Sequence, residues 1–270
     1  MKNILRHPWI VAAGNLVLVL ALYTILRLVC YAVNGAMFPD IDGSHLWEIL
    51  CGGVRFDLTA VLYLSSLYIL GILLPLPAHW RMNSTYQKVL AGVFMVPNAI
   101  GLAVNTADIA YIPFTDRRTT CTFFTEFAND GNLWSIFAQG VVQYWPVTLA
   151  GLLVLAVLFV CTRKTFHVLS VRPILYYPLE TAIMLLTAYF VVIGIRGGFG
   201  KYTRPITLSN ALQYADRPQE TLLVLNTPFS IMRSTEGSTY TDPKYYDLDE
   251  LERIMSPIHK GNELRSERMN

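Results

Sequence analysis

The chain has 270 residues, 53% of them hydrophobic and only 15% charged, with a net charge of +2 and a mean hydropathy of +0.41. That balance is too apolar for a soluble globular domain of this length and calls for lipid as a solvent. The small net charge offers no basic surface of the kind that binds nucleic acid, so no nucleic-acid partner is expected.

A hydrocarbon core about 30 Å thick needs about 20 mostly apolar residues in a helix. Five runs of that kind occur in chain order, at 9–32, 58–76, 89–112, 141–161 and 174–195. The first follows Lys2 and Arg6, as in a secretory signal, but its apolar part exceeds the usual 7 to 15 residues and no small-residue cleavage site follows. It reads as a retained signal-anchor helix. The expected fold is therefore an all-α integral membrane protein, with a five-helix transmembrane domain over residues 1–195.

Basic residues near helix ends stay on the cytoplasmic side, which orients the spans. Lys2, Arg6, Arg81, Lys88, Arg163, Lys164 and Arg172 all fall on one side, in segments that carry no acid. The opposite loops, 33–57 and 113–140, carry Arg55, Arg117 and Arg118 against Asp40, Asp42, Glu48, Asp57, Asp116, Glu126 and Asp130. The N-terminus is thus expected in the cytoplasm. An odd number of spans carries residues 196–270 outward as an exoplasmic linker, irregular apart from a short helix.

Two stretches outside the spans have helical spacing. Leu133, Ile136, Phe137 and Gly140 share a face beside Trp134, as in an interfacial helix lying flat before the fourth span. In the tail, Asp247 can cap a helix and Glu250 can return the bond, with Leu248, Leu251 and Met255 on one side.

Ionisable groups at membrane depth are expensive and therefore point to function. Arg27 lies near the outer end of the first span, Arg55 and Asp57 precede the second, and Asn105 and Asp108 lie in the outer half of the third. At about 100° per residue, Asn98, Asn105 and Asp108 fall within about 80° of one another, just after Pro97, a candidate kink. Two readings are open. Arg27, Arg55, Arg117, Arg118 and Arg196 offer guanidinium forks to a phospholipid phosphate, with Asp57, Asn105 and Asp108 orienting them. Alternatively, Arg27 snorkels to the interface, and Asp57 with Arg55 or Asp108 with Arg27 form struts within the bundle. Glu180, in the inner half of the fifth span, stands apart and reads as structural or interfacial.

Catalytic and metal sites are not expected. Cys30, Cys51, Cys121 and Cys161 have no C-x-x-C spacing, and His7, His45, His79, His167 and His259 have no ligand spacing around them. The tail acids Asp242, Asp247, Asp249 and Glu250 read as a solvated face.

Several phrases together bear a resemblance. Gly53-Val54-Arg55-Phe56-Asp57-Leu58-Thr59-Ala60, Asn105-Thr106-Ala107-Asp108-Ile109-Ala110-Tyr111 with Phe114, Arg117 and Arg118, Arg196-Gly197-Gly198, Asn210-Ala211 and Asn226-Thr227-Pro228-Phe229 stand in order around the five spans. In this the chain resembles the membrane half of bacterial lipoteichoic-acid-synthase-like proteins of the alkaline-phosphatase and sulfatase superfamily. The resemblance implies a bacterial cytoplasmic membrane and a phosphoglycerol or phosphoethanolamine transferase in which an exoplasmic domain acts on a membrane phospholipid through a threonine nucleophile. The expected partners are that lipid and that sulfatase-like domain. The family's Asn-Val-Val strand with its Glu-Ser pair does not occur before Asn270, so the catalytic domain is expected to be missing and this chain alone to be non-catalytic. No cofactor is expected in it, a divalent metal belonging to the missing domain. The competing expectation is a stand-alone multi-pass protein, either a small transporter or an assembly partner, although neither internal repeats nor paired broken helices favour transport.

Overall fold

A computed structural model describes residues 7–123, 133–167, 173–198 and 204–235, all within one compact unit that spans residues 1–236. The tail helix expected at 247–255 lies outside the described residues, as do the side chains of 133–137 on the expected interfacial helix. Among the described residues the regular structure is entirely helical.

Helix α1, Pro8–Val33, opens on a proline, whose fixed φ suits a first helical position where no N–H partner is needed. Its buried stripe is Val11, Asn15, Val19, Leu22, Leu26, Arg27 and Cys30, at spacings of one helical face. The opposite face carries Trp9, Val17, Ile25 and Leu28, all exposed. A helix apolar on both faces is built for a nonpolar surrounding, not for water.

The second apolar run starts much earlier than composition indicates. Helix α2 spans Gly43–Leu64, capped by the Asp42 carboxylate, which accepts from the His45 amide at 2.7 Å. Arg55 and Asp57 therefore lie inside a helix and do not precede it. Charge at 40–57 hides that continuity in the sequence. The helix breaks at the Ser65-Ser66 pair and resumes as α3, Ser66–Leu73, bent by 62°. No proline is present at the bend; instead Asn98 donates to the buried Ser65 hydroxyl at 3.0 Å, a polar insertion of the kind that kinks helices.

After the single turn α4, Ala78–Arg81, comes the longest helix among the described residues, α5, Ser84–Thr115, which continues through Pro97 as one element and ends on Asp116 at a φ of 49°. Helix α6, Leu133–Gln143, is separated from α7, Trp145–Cys161, at Tyr144. Thus the fourth expected run is two helices. Helix α8 is Pro173–Arg196. The chain then forms 3-10 turns at Leu208–Tyr214 and Pro218–Glu220, the short helix α9, Thr221–Val224, and α10, Thr227–Ser234.

Among the described residues, three helices are long and apolar enough to cross a membrane: Pro8–Val33, Ser84–Thr115 and Ile174–Arg196. The bent α2–α3 pair adds a fourth if it counts as one broken span, while α7, with 17 residues, is apolar but shorter. Helices α1, α2, α5 and α7 form the centre, and α8 lies at its side against α2 and α3.

The end of the bundle next to the basic loops is tied by side chains that reach backbone carbonyls. Asn15 donates to the Arg163 carbonyl at 3.1 Å and accepts from the Arg163 amide at 2.9 Å, and Gln87 donates to the Phe166 carbonyl at 2.9 Å. These bonds bring the residues that follow α7 back against α1 and α5. Arg81, fully buried, donates to the Ile72 carbonyl at 2.8 Å and to the Tyr176 hydroxyl at 2.9 Å, and pairs with Glu180 at 3.1 Å. Glu180, isolated in the sequence, thus has a buried cationic partner on α4.

Candidate functional site

At the opposite end of the bundle the polar residues converge on residues 222–227. Nine consecutive residues, 222–230, are buried there, although they follow the last apolar run. Burial of backbone requires partners for its polar groups, and two arginines supply those of the carbonyls of residues 222–224.

Arg27 on α1 donates from Nε to the Leu223 carbonyl at 2.6 Å and from Nη2 to the Val224 carbonyl at 3.2 Å. Its Nη2 also meets Asp57 Oδ1 on α2 at 2.8 Å. Arg118, just past the end of α5, donates from Nε to the Leu222 carbonyl at 2.8 Å and pairs through Nη1 with Asp108 Oδ2 at 3.2 Å. Each guanidinium therefore bridges a helix carboxylate and the carbonyls of the returning segment, the use to which its rigid fork is suited. An unpaired charge at this depth would cost several kcal/mol, roughly, so each pair is needed to keep the other half buried.

Side chains of the segment complete the arrangement. Asn226 caps α10 by accepting from the Phe229 amide at 2.8 Å, and its Nδ2 donates to Asp57 Oδ1 at 2.8 Å. The Thr227 hydroxyl lies 2.7 Å from Asp108 Oδ2 and 3.1 Å from Asn105 Oδ1, and the Thr227 amide donates to Asn105 Oδ1 at 3.0 Å. Asp108 Oδ1 accepts in addition from Thr119. Below this layer Phe229 packs edge-on against Phe56, with ring centroids 5.1 Å apart. Gly53 leaves room for the Arg27 guanidinium, against which any Cβ would collide, and at Gly101 a Cβ would come within 2.6 Å of the Tyr23 hydroxyl.

Of the residues singled out in the sequence, Asp57, Asn105, Asp108 and Arg118 come together around the segment. The pairings differ from those expected: Asp57 pairs with Arg27, not Arg55, and Asp108 pairs with Arg118, not Arg27. Arg27 itself is 4% exposed and does not snorkel. Arg55 is half-buried, donates to the Tyr214 hydroxyl at 3.2 Å and lies against Gly197, which takes a φ of 76° after Arg196. Arg117 is exposed and Arg196 half-buried. Sequence reasoning missed Asn226 and Thr227 as site residues, although Asn-Thr-Pro is a helix-start signal, with a capping side chain ahead of an early proline.

A second polar group lies at the head of α2. A cavity of about 420 Å³ is lined by Asp40, Asp42, His45, Glu48, Asp216, Arg217 and Glu220 among others. His45 Nε2 is 2.9 Å from Glu220 Oε2, which also accepts from the amides of Asp216 at 2.7 Å and Arg217 at 3.1 Å. The Glu220 hydrogen bond, reinforced by Asp216 and Glu48 and opposed by burial, raises the His45 pKa above its ordinary value. Burial pushes Glu220 upward, but His45 and the two amides outweigh it and hold the carboxyl below its usual range. Among the described residues, no group of three or more His, Cys, Asp or Glu is arranged to hold a metal ion.

Fold and site together define a helical protein, with helices fit to cross a membrane, that clamps a later stretch of its own chain between buried ion pairs. Comparisons with protein-family descriptions, with curated proteins and with solved structures find no match for this chain.

Proposed function

We propose that this chain is a membrane anchor that holds its post-span segment at a fixed height, so that whatever the segment carries works against the outer leaflet. One observation carries the reading: the buried clamp of Arg27 and Arg118 on the carbonyls of residues 222–224, closed by Asp57, Asn105 and Asp108 on Asn226 and Thr227. A flexible tether would need no such investment of buried charge. The topology that goes with it has five spans, the second formed by the later part of α2, from Leu58 on, together with α3, and the fourth by α7, with the head of α2 outside the membrane, the N-terminus in the cytoplasm and the segment exoplasmic. The loop charges support that direction.

The resemblance to lipoteichoic-acid-synthase-like proteins gives the anchor a specific form. In it the chain is the membrane region of a sulfatase-superfamily phosphoglycerol or phosphoethanolamine transferase in a bacterial cytoplasmic membrane, and the partner carried by the segment is the catalytic domain with its divalent metal. Arg55 within α2, Arg117 just past α5 and Arg196 at the end of α8 would meet the phospholipid phosphate, while Asp57, Asn105, Asp108 and Arg118 act by docking the segment.

Single cysteines at Ser209 and His167, in a background with the four native cysteines replaced, test the topology with a membrane-impermeant maleimide added to intact cells. Labelling at 209 alone is the expected result; labelling at 167 alone would invert the topology and remove the basis of the reading.

A further inference from the structure

The docked segment begins directly after Glu220, and Glu220 is held by a titratable group. Residues 216–220 form the turn that leads into α9, whose carbonyls Arg27 and Arg118 clamp. The side chain that fastens this turn to the head of α2 is His45, through the 2.9 Å contact with the largely buried Glu220 carboxylate.

We propose that His45 and Glu220 form an acid-closed latch on the dock: protonated His45 holds the 216–220 turn against α2, and loss of that proton loosens the start of the docked segment. This rests on the docking reading above and gives it a means of regulation.

The charges facing His45 decide the sign. From α2 and its cap come Asp42 and Glu48, the latter 3.9 Å from Nδ1; from the turn come Glu220 and Asp216, the latter 3.8 Å from Nε2. Arg217 is the other cation of the cavity, and it is turned to Asp40 at 3.2 Å. With His45 protonated, one cation sits among four carboxylates and draws both elements together. With His45 neutral, Asp42 and Glu48 on one element face Asp216 and Glu220 on the other, and like charges at such distances repel. The site lies open at the surface of the fold, where Asp216 is 86% exposed.

Because the folded protein raises the pKa of His45, its contribution is complete below about pH 6.5, the unfolded value, and is lost as pH rises through the higher folded value. Glu220, lowered on folding, contributes above the ordinary carboxylate value and loses that contribution only in acid. The latch is therefore tightest in mildly acidic medium.

Two measurements on the full chain in lipid nanodiscs test this. The first is a histidine-selective NMR titration, with the His45 signal assigned through His45→Gln. The second is deuterium exchange of amides 216–225 from pH 5.5 to 8.5, corrected for intrinsic rates. The expected result is a His45 midpoint above 6.5 that falls in Glu220→Gln. Protection of 216–225 should drop several-fold through that midpoint, and in His45→Gln it should not vary with pH. A midpoint at or below 6.5 overturns the latch, as does strong protection that ignores pH in the unmodified chain while leaving the dock intact. Absence of protection at every pH overturns the docking reading together with the latch.

Discussion

Thr227 joins Asn105 and Asp108 through its backbone amide and its hydroxyl. Thr227→Val keeps the shape and removes the hydroxyl, leaving a buried carboxylate oxygen short of a donor; the expected loss is about 1–3 kcal/mol in denaturant-induced unfolding in micelles. Asp108→Ala is harsher, since it strands the Arg118 guanidinium, and should cost about 3–5 kcal/mol by the same measurement. Removing both partners, in Asp108→Ala with Arg118→Ala, should cost less than the sum of the single changes, because no lone charge then stays buried. At this scale the sequence was informative in one direction. Costly residues such as Asp57 and Asp108 marked the right place, because few functions other than pairing or binding justify a carboxylate among apolar neighbours. Their partners were not legible, since Asp57 reaches Arg27 and Asn226 across 30 and 169 residues, and no local spacing encodes such a contact.

Helices are held to one another at both ends of the bundle by the same device, a guanidinium between a carboxylate and a carbonyl. Arg81 joins α4 to the end of α3 and to α8 at one end, and Arg27 joins α1 to α2 and to the returning segment at the other. Arg81→Ala should therefore loosen α8 in particular, with a loss of about 3–5 kcal/mol, and Arg81→Ala with Glu180→Ala should recover part of it. Unfolding in micelles checks the loss, and faster deuterium exchange around Glu180 checks its location. The long apolar helices were legible because composition alone distinguishes them; α1, α5 and α8 enclose the expected runs within a few residues. Two elements were not. The first half of α2 is amphipathic and charged, so hydropathy reads it as a loop, and only the Asp42 cap marks its start. Residues 222–225 are four aliphatics, too few to signal a buried element, and their burial depends on arginines placed elsewhere in the chain.

For the whole molecule, the physical theme is that backbone away from long helices tolerates burial only where protein groups satisfy it. Residues 222–227 meet that condition through Arg27, Arg118 and the side chains of α5, which turns the end of the described chain from a loose extension into part of the bundle. In the proposed reading the anchor fixes this segment at the end of the bundle opposite the basic loops. The most direct measurement is the reactivity of Leu223→Cys, in the background lacking native cysteines, toward a small water-soluble maleimide in nanodiscs. Docking predicts slow labelling in the otherwise unmodified chain and labelling at least tenfold faster when Asp108→Asn is added. Rapid labelling that is the same with and without Asp108→Asn would contradict it.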